Sequence, residues 1–260
     1  MGWEQADEGW GARAKDWAYL METAWWPEFD RVLRDAGVGE STRYLDVCCG
    51  SGMAAQMAAW RGADVHGLDA SGRLLDIARA RTQDGDFRHG DMHDLPWNDG
   101  MFDVVTSFRG IWGPNDLAVV EAARVLRPGG TFAVSFFPAD HPVAWDRWWA
   151  AIARISEHEV AHSAALGSIA ADGRVEEMCE AAGLMPGERQ LARFEIEGGP
   201  EVEDFVRATV SAGPTGGAIQ ERGQEDVEEA TRREFGPIWD EKVGLRIEVA
   251  IEYVIATKPA

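Results

Sequence analysis

Residues 44–52 read Tyr44-Leu45-Asp46-Val47-Cys48-Cys49-Gly50-Ser51-Gly52. A short apolar run ends in an acid, and a Gly-Ser-Gly turn follows. The run has the length of a buried strand. Glycine frees the backbone for a tight turn, and Met53–Arg61 beyond it has helical composition. Working outward, the pattern repeats. Asp64–Asp69 reads as a second strand, with Ser71 placed to cap a helix over Gly72–Thr82. Asp86–His89, Phe102–Phe108 and Thr131–Phe136 read as the third to fifth strands. A helix over Asn115–Leu126 stops at Arg127-Pro128-Gly129-Gly130. Apolar strands alternating with helices predict a parallel sheet covered on both faces.

Past Phe136 the alternation breaks. Trp145–Ala165 reads as one long helix and Glu176–Ala182 as a helix ending at Gly183. Leu191–Glu197 and Leu245–Thr257 alternate like strands. Between them Glu201–Ser211 and Glu225–Phe235 are helical, joined by a loop at Gly213-Pro214-Thr215-Gly216-Gly217. The expected fold is therefore α/β: a seven-stranded, mostly parallel sheet closed by a C-terminal antiparallel hairpin. Residues 1–35 form an N-terminal helical lid, 36–197 with 245–260 the core, and 198–244 an inserted helical cap.

The 260 residues can bury a core without a disulfide or metal staple. Adjacent Cys48 and Cys49 are poorly placed to bridge, no CxxC pair exists, and free thiols in a reducing cytoplasm are expected. No apolar run reaches the roughly 18 residues of a membrane span. The acidic, Trp-bearing start does not resemble a signal peptide, and Ala6 stands where a myristoylation signal needs Ser or Thr. A formal charge of −20 argues against a nucleic-acid partner. A small-molecule substrate is expected, no membrane partner, and a homodimer stays open.

The turn at Gly50–Gly52 aims free amides at a ligand, and Gly50-Ser-Gly-Met-Ala-Ala55 with Asp69 also fits a dinucleotide fingerprint. Asp46 and the pair Asp91-Met92 tip the balance. A pyrophosphate would be repelled by Asp46, whereas the ammonium and sulfonium of S-adenosylmethionine would be attracted. Asp91 can accept from an adenine amine while Met92 packs on the ring.

Five segments in order resemble the class I S-adenosylmethionine-dependent methyltransferases, above all the small-molecule group that includes the ubiquinone and menaquinone biosynthesis enzymes. They are Tyr44–Gly52, Val65–Ser71, Gly90–Trp97, Phe102–Phe108 and Arg124–Gly130. The resemblance spans about residues 40–136 and implies a Rossmann-like core with S-adenosyl-L-methionine as cofactor. By position it implies that Asp46 and the Gly50/Gly52 turn hold the methionine moiety. Asp69 would take the ribose and Ala70 flank the adenine. Asp91 and Met92 would bind the adenine, and Ser107 and Phe108 line the methyl-donor end. Cys48 stands where the family usually has Gly, and its Cβ narrows the approach.

Three further features are expected near the substrate. His141, just past the fifth strand, is placed to serve as a general base, or is a loop histidine beside Pro142. Arg109 would meet an anionic substrate or make a surface ion pair. Trp3, Trp10 and Trp17 recur every seven residues and Trp25-Trp26 follow. They form either an aromatic lid, with Trp17, Tyr19, Trp25 and Trp26 nearest the ligands, or a face packed on the core. His158-Glu-Val-Ala-His162 fits HExxH, the zinc-hydrolase helix, but follows a complete cofactor-binding pattern. A polar helix face is the simpler reading, and no bound metal is expected. The alternative to methyl transfer is a protein of this fold that binds the cofactor but does other chemistry.

Overall fold

The computed structural model describes residues 3–113, 115–139, 144–156, 168–198, 201–213, 215–240, 242 and 244–260. Strands β1 (Arg43–Val47), β2 (Asp64–Asp69), β3 (Asp86–His89), β4 (Phe102–Phe108) and β5 (Leu126–Phe136) are parallel in the order β3-β2-β1-β4-β5. β8 (Leu245–Thr257) adds antiparallel to β5, and β7 (Gln190–Gly198) pairs antiparallel along β8. The sheet has eight strands where the sequence predicts seven. The extra one is β6, Met185–Pro186, which pairs with Thr257 and Ala256 at the end of β8. The contact extends to Gly187, whose N–H donates to the Ile255 carbonyl at 2.8 Å, and the ladder resumes at Gln190 opposite Tyr253.

Helices cover both faces. α1 (Trp26–Asp35), α2 (Met53–Trp60) and α3 (Gly72–Arg81) share one apolar core with the C-terminal helices α7 (Val202–Val210), α8 (Thr215–Arg222) and α9 (Gln224–Phe235). α4 (Asp116–Val125) and α6 (Arg174–Ala181) cover the other face. α1 shows why these segments are helical. Pro27 occupies its first turn, and Phe29, Val32 and Leu33 are buried at helical spacing. Gly37, at φ 77°, then turns the chain out of the helix. The Ser71 hydroxyl caps α3, accepting from the Leu74 N–H at 3.2 Å.

Three expected elements differ. The N-terminal segment is a succession of short 3-10, α and π turns from Trp3 to Trp25. Gly9 and Gly11 interrupt the helix, and a Cβ on Gly11 would meet Asp7 and Ser71. The expected loop 213–217 gives way to α8 from Thr215. The Thr215 hydroxyl donates at 2.7 Å to the Val210 and Ala212 carbonyls, and a Cβ on Gly216 would lie 3.5 Å from Gly9 Cα. Close approach of the N-terminal segment outweighs the poor helix propensity of Gly216-Gly217. The long helix is described as α5 (Ala144–Ala153), and its expected continuation over 157–165 lies outside the described residues. No described helix is long and apolar enough to cross a membrane.

An ion-pair knot closes the N-terminal edge of the sheet. Asp103 accepts from the Arg43 backbone N–H at 2.9 Å and from the Arg43 and Arg127 guanidiniums, which pull its carboxyl down to about 2. The depressed value stabilises the fold above pH 4, and the gain disappears as pH falls toward 2. Asp103→Asn should therefore cost about 2 kcal/mol at pH 7, read as a lower melting temperature. The two proteins should melt alike near pH 2.

Candidate active site

The C-terminal ends of β1, β2 and β4 meet in one acidic, glycine-rich corner. Asp46 ends buried β1, only 2% exposed, and its Oδ1 accepts the Thr106 hydroxyl at 2.8 Å. Burial pushes its carboxyl well above the carboxylate range; Thr106 opposes this, and nearby Glu22, Asp69 and Glu28 add to it. After Val47 the chain turns with Cys48, Gly50 and Gly52 all at positive φ. The turn is tied to β2, because Asp69 accepts the Gly50 and Ser71 N–H groups, each at 2.8 Å. Burial raises the Asp69 carboxyl to about 6, less than it otherwise would because of those two donors.

Cys48 sits at φ 62°, a conformation glycine would take more cheaply. Its side chain is accommodated because residue 110 is glycine: a Cβ on Gly110 would strike the Cys48 Cβ and approach the Ser107 hydroxyl. The Cys48 thiol points to the Met92 sulfur at 3.6 Å. Asp91 Oδ1 accepts both the backbone N–H of His93 and its ring Nδ1, at 3.0 and 2.8 Å. Ser107 is fully buried, and its hydroxyl has no partner among the described residues.

The N-terminal segment crosses this corner and is fastened at three points. Trp3 lies edge-on to His89, whose Nε2 is 2.9 Å from the Ala70 carbonyl. Asp7 accepts the Ser71 hydroxyl at 2.5 Å and the Arg73 N–H at 3.2 Å. Buried Glu22 accepts from the Ser51 hydroxyl and from the Arg81 guanidinium, which also donates to the Ala18 carbonyl at 2.5 Å. Burial raises the Glu22 carboxyl, and Arg81 offsets part of that.

Beside the corner opens an aromatic cavity of about 910 Å³, counting its mouth. Its walls are Trp10, Trp17, Met21 and Trp25 from the N-terminal segment, Phe108, Arg109, Ile111 and Trp112 after β4, Phe136 and Phe137 after β5, and Ile169, Thr209 and Ala212. Arg109 is the one charged side chain in the described wall. Its guanidinium stacks on Trp25, 3.8 Å from the ring centroid, and its Nη2 lies 3.1 Å from Glu28 Oε2. Glu28 is fully buried, and its Oε1 accepts the Ser135 hydroxyl at 2.6 Å. Arg109 is thus half of a buried ion pair presented to a cavity, not a surface pair.

The structure brings Asp46, Cys48, Gly50, Gly52, Asp69, Ala70, Asp91, Met92 and Ser107 to the corner, and Phe108, Arg109, Trp17 and Trp25 to the cavity. Tyr19 and Trp26 are 59% and 54% exposed and line neither. The π turn over Trp17–Met21 points Trp17 and Met21 inward and leaves Tyr19 outside, where Arg81 covers it at 5.4 Å. Of the seven-spaced tryptophans, Trp10 meets Trp17 edge-on at 4.9 Å, while Trp3 goes to His89. His141, His158 and His162 lie outside the described residues. Among the described residues no three His, Cys, Asp or Glu side chains form a metal-binding group.

Sequence reasoning missed Glu22, Glu28, Arg81, Thr106 and Trp112. Arg81 and Glu28 resemble ordinary charges complementing helix ends, and nothing local to Glu22 marks it as buried.

The order β3-β2-β1-β4-β5-β8-β7 places an acid near the end of β1, an acid at the end of β2 and a glycine turn between them. Residues 45–134 match the family model described as a methyltransferase domain. Over those residues the chain is similar to the methyltransferase domain family. A demethylmenaquinone methyltransferase of Staphylococcus aureus is 38% identical over 108 residues, covering 38% of this chain and 45% of the relative. The chain thus spans less than half the length of that curated relative. Among solved structures, phosphoethanolamine N-methyltransferase 2 of Haemonchus contortus, bound to S-adenosylhomocysteine, aligns at TM-score 0.61 and 17% identity. It covers 100% of this chain and 61% of its own. Geranyl diphosphate C-methyltransferase of Streptomyces coelicolor aligns at 0.54 and 16% identity over 89% and 75% of the two chains. The [4+2]-cyclase SpnF aligns at 0.58 and 22% identity over 90% and 81%. These three share the fold, and their different activities show that the fold alone does not fix the substrate.

Proposed function

We propose that the protein transfers a methyl group from S-adenosyl-L-methionine to a small, largely apolar molecule held in the aromatic cavity. The observation that carries this reading is the uncompensated charge at the corner. Among the described residues no cation pairs with Asp46, and the Thr106 hydroxyl is the group that opposes the rise of its carboxyl. A ligand with an ammonium and a sulfonium would supply what the site lacks. The Ser107 hydroxyl, buried beside Gly110 and Cys48 without a partner among the described residues, is a further polar group near the corner.

The sulfonium supplies the electrophile when the cofactor is bound, so the protein's share is placement and exclusion of water. Asp46 and the Gly50–Gly52 turn would hold the amino-acid end. Asp69, fixed by two backbone donors, keeps lone pairs for ribose hydroxyls. Asp91 and Met92 would face the adenine. Trp10, Trp17 and Trp25 close the cavity over the methyl-donor end, beside Phe108. Arg109, its charge balanced by Glu28, offers N–H donors to one oxygen of an otherwise apolar substrate. A negatively charged surface and a small enclosed cavity favour a metabolite over a nucleic acid.

Calorimetry with S-adenosylmethionine and NAD tests the cofactor. S-adenosylmethionine should bind and NAD should not. Ionised Asp69 is the stronger acceptor for the ribose hydroxyls, so affinity should rise by up to about tenfold between pH 5 and 7 as it ionises near 6. A flat profile would remove Asp69 from the ribose site, and NAD binding alone would overturn the assignment. Binding without methyl transfer to any candidate acceptor would favour a non-methylating reaction on the same site.

A further inference from the structure

Behind Asp46 runs a buried chain of two hydroxyls that the mechanism above does not use. Asp46 and Thr106 are register partners on β1 and β4, and Tyr44 is two residues before Asp46 on the same face of β1. Tyr44 and Thr106 are both 0% exposed. The Tyr44 hydroxyl lies 2.6 Å from Thr106 Oγ1, which lies 2.8 Å from Asp46 Oδ1. When Asp46 is ionised, the state a bound cation would favour, its carboxylate only accepts. Thr106 must therefore spend its one proton on Asp46, and Tyr44 must donate to Thr106. The direction of the chain is fixed, and each bond polarises the next.

We propose that Thr106, backed by Tyr44, is a positioning residue for cofactor binding: it fixes the Asp46 carboxylate and favours its ionised form. The proposal rests on the reading that Asp46 receives the cationic end of the cofactor. Among the described residues, the other charged groups named against Asp46 work against its ionisation. Glu22 from the N-terminal segment, Glu28 from α1 and Asp69 from β2 are acids, and burial pushes the thiols of Cys48 and Cys49 up. Arg61 acts on Tyr44, the far end of the chain. Without Thr106, a buried carboxylate among acids would take up a proton and lose its attraction for a cation.

The test is calorimetric binding of S-adenosylmethionine from pH 5 to 7.5, over which the ligand's own amine mostly keeps its proton. Thr106→Val keeps the shape and removes the donor. Its affinity at pH 7 should fall roughly 10- to 100-fold, with the loss shrinking as pH rises, because Asp46 now ionises later. Thr106→Ser should restore both affinity and profile. Tyr44→Phe, which leaves Thr106 in place, should shift the profile the same way by less, and it serves if Thr106→Val does not fold. An unchanged profile in both variants overturns the proposal, as does a loss equal at every pH, the mark of a merely structural role. Failure of the wild-type protein to bind S-adenosylmethionine at any pH would instead overturn the cofactor assignment.

Discussion

Without residues 1–13 the protein should still fold, but methyl transfer should fall by at least about a hundredfold. The cut removes Trp3 from His89, Asp7 from Ser71 and Arg73, and Trp10 from the cavity wall. These contacts are partly exposed and few, so melting should move only a few degrees. Trp10 is nonetheless wedged: it packs edge-on against Trp17, and a Cβ on Gly213 would run into its ring. Its loss opens the cavity to water at the place where the methyl-donor end is proposed. A longer cut through residue 30 should behave differently. It would take Trp25 and Phe29, each 3% exposed, along with Glu28, and strand Arg109 and Arg81 without their buried partners. Breaking one buried pair costs about 3–5 kcal/mol, so that protein should aggregate. Covering and packing roles thus divide within one segment, near residue 14. Normal turnover in the shorter deletion would reduce residues 1–13 to surface covering.

The sequence is most legible where one residue type admits one structure. Buried parallel strands read as apolar runs, and β2, β3, β4 and β8 fall within the expected bounds. Ser71 caps α3 as its position implies. The N-terminal segment was harder, because seven-residue spacing records only that tryptophans recur. Gly9 and Gly11 break the helix between them, and the close approach requiring Gly11 involves Ser71, distant in sequence. The Glu22–Arg81 pair is separated by 59 residues, and neither side shows a local pattern. Cys48 shows the same limit from the other side. A non-glycine residue in a left-handed turn reads as a departure, and Gly110, which makes room for it, is visible only in three dimensions. The glycine turn and the acids beside it are legible because they are local to strand ends. The cavity is not, since its walls come from five separated segments.

Gly52→Ala should be severely damaging, because two independent costs fall on one atom. Gly52 stands at φ 79° and ψ 26° at the start of α2, a left-handed conformation that costs an L-residue about 1–2 kcal/mol. An added Cβ would also lie 2.7 Å from the Cβ of Ala78 and 3.0 Å from its Cα. Ala78 is fully buried in α3 and has no flexible end to swing aside, so α2 and α3 must part. Overpacking of that kind adds about 1–3 kcal/mol, for a total of about 2–5 kcal/mol. In a domain of this size that is a melting-temperature drop of roughly 5–15 °C. S-adenosylmethionine affinity should fall with it, since the displaced turn carries Gly50, which is bonded to Asp69. Gly173→Ala isolates the backbone share. Gly173 has φ 75°, but nothing lies within 4 Å of the added atom, so only about 1–2 kcal/mol should be lost, with cofactor affinity unchanged. The difference between the two variants measures how tightly α3 holds the glycine turn. Equal losses would mean that the turn yields freely, and its fixed geometry could no longer be the basis for placing a cofactor there.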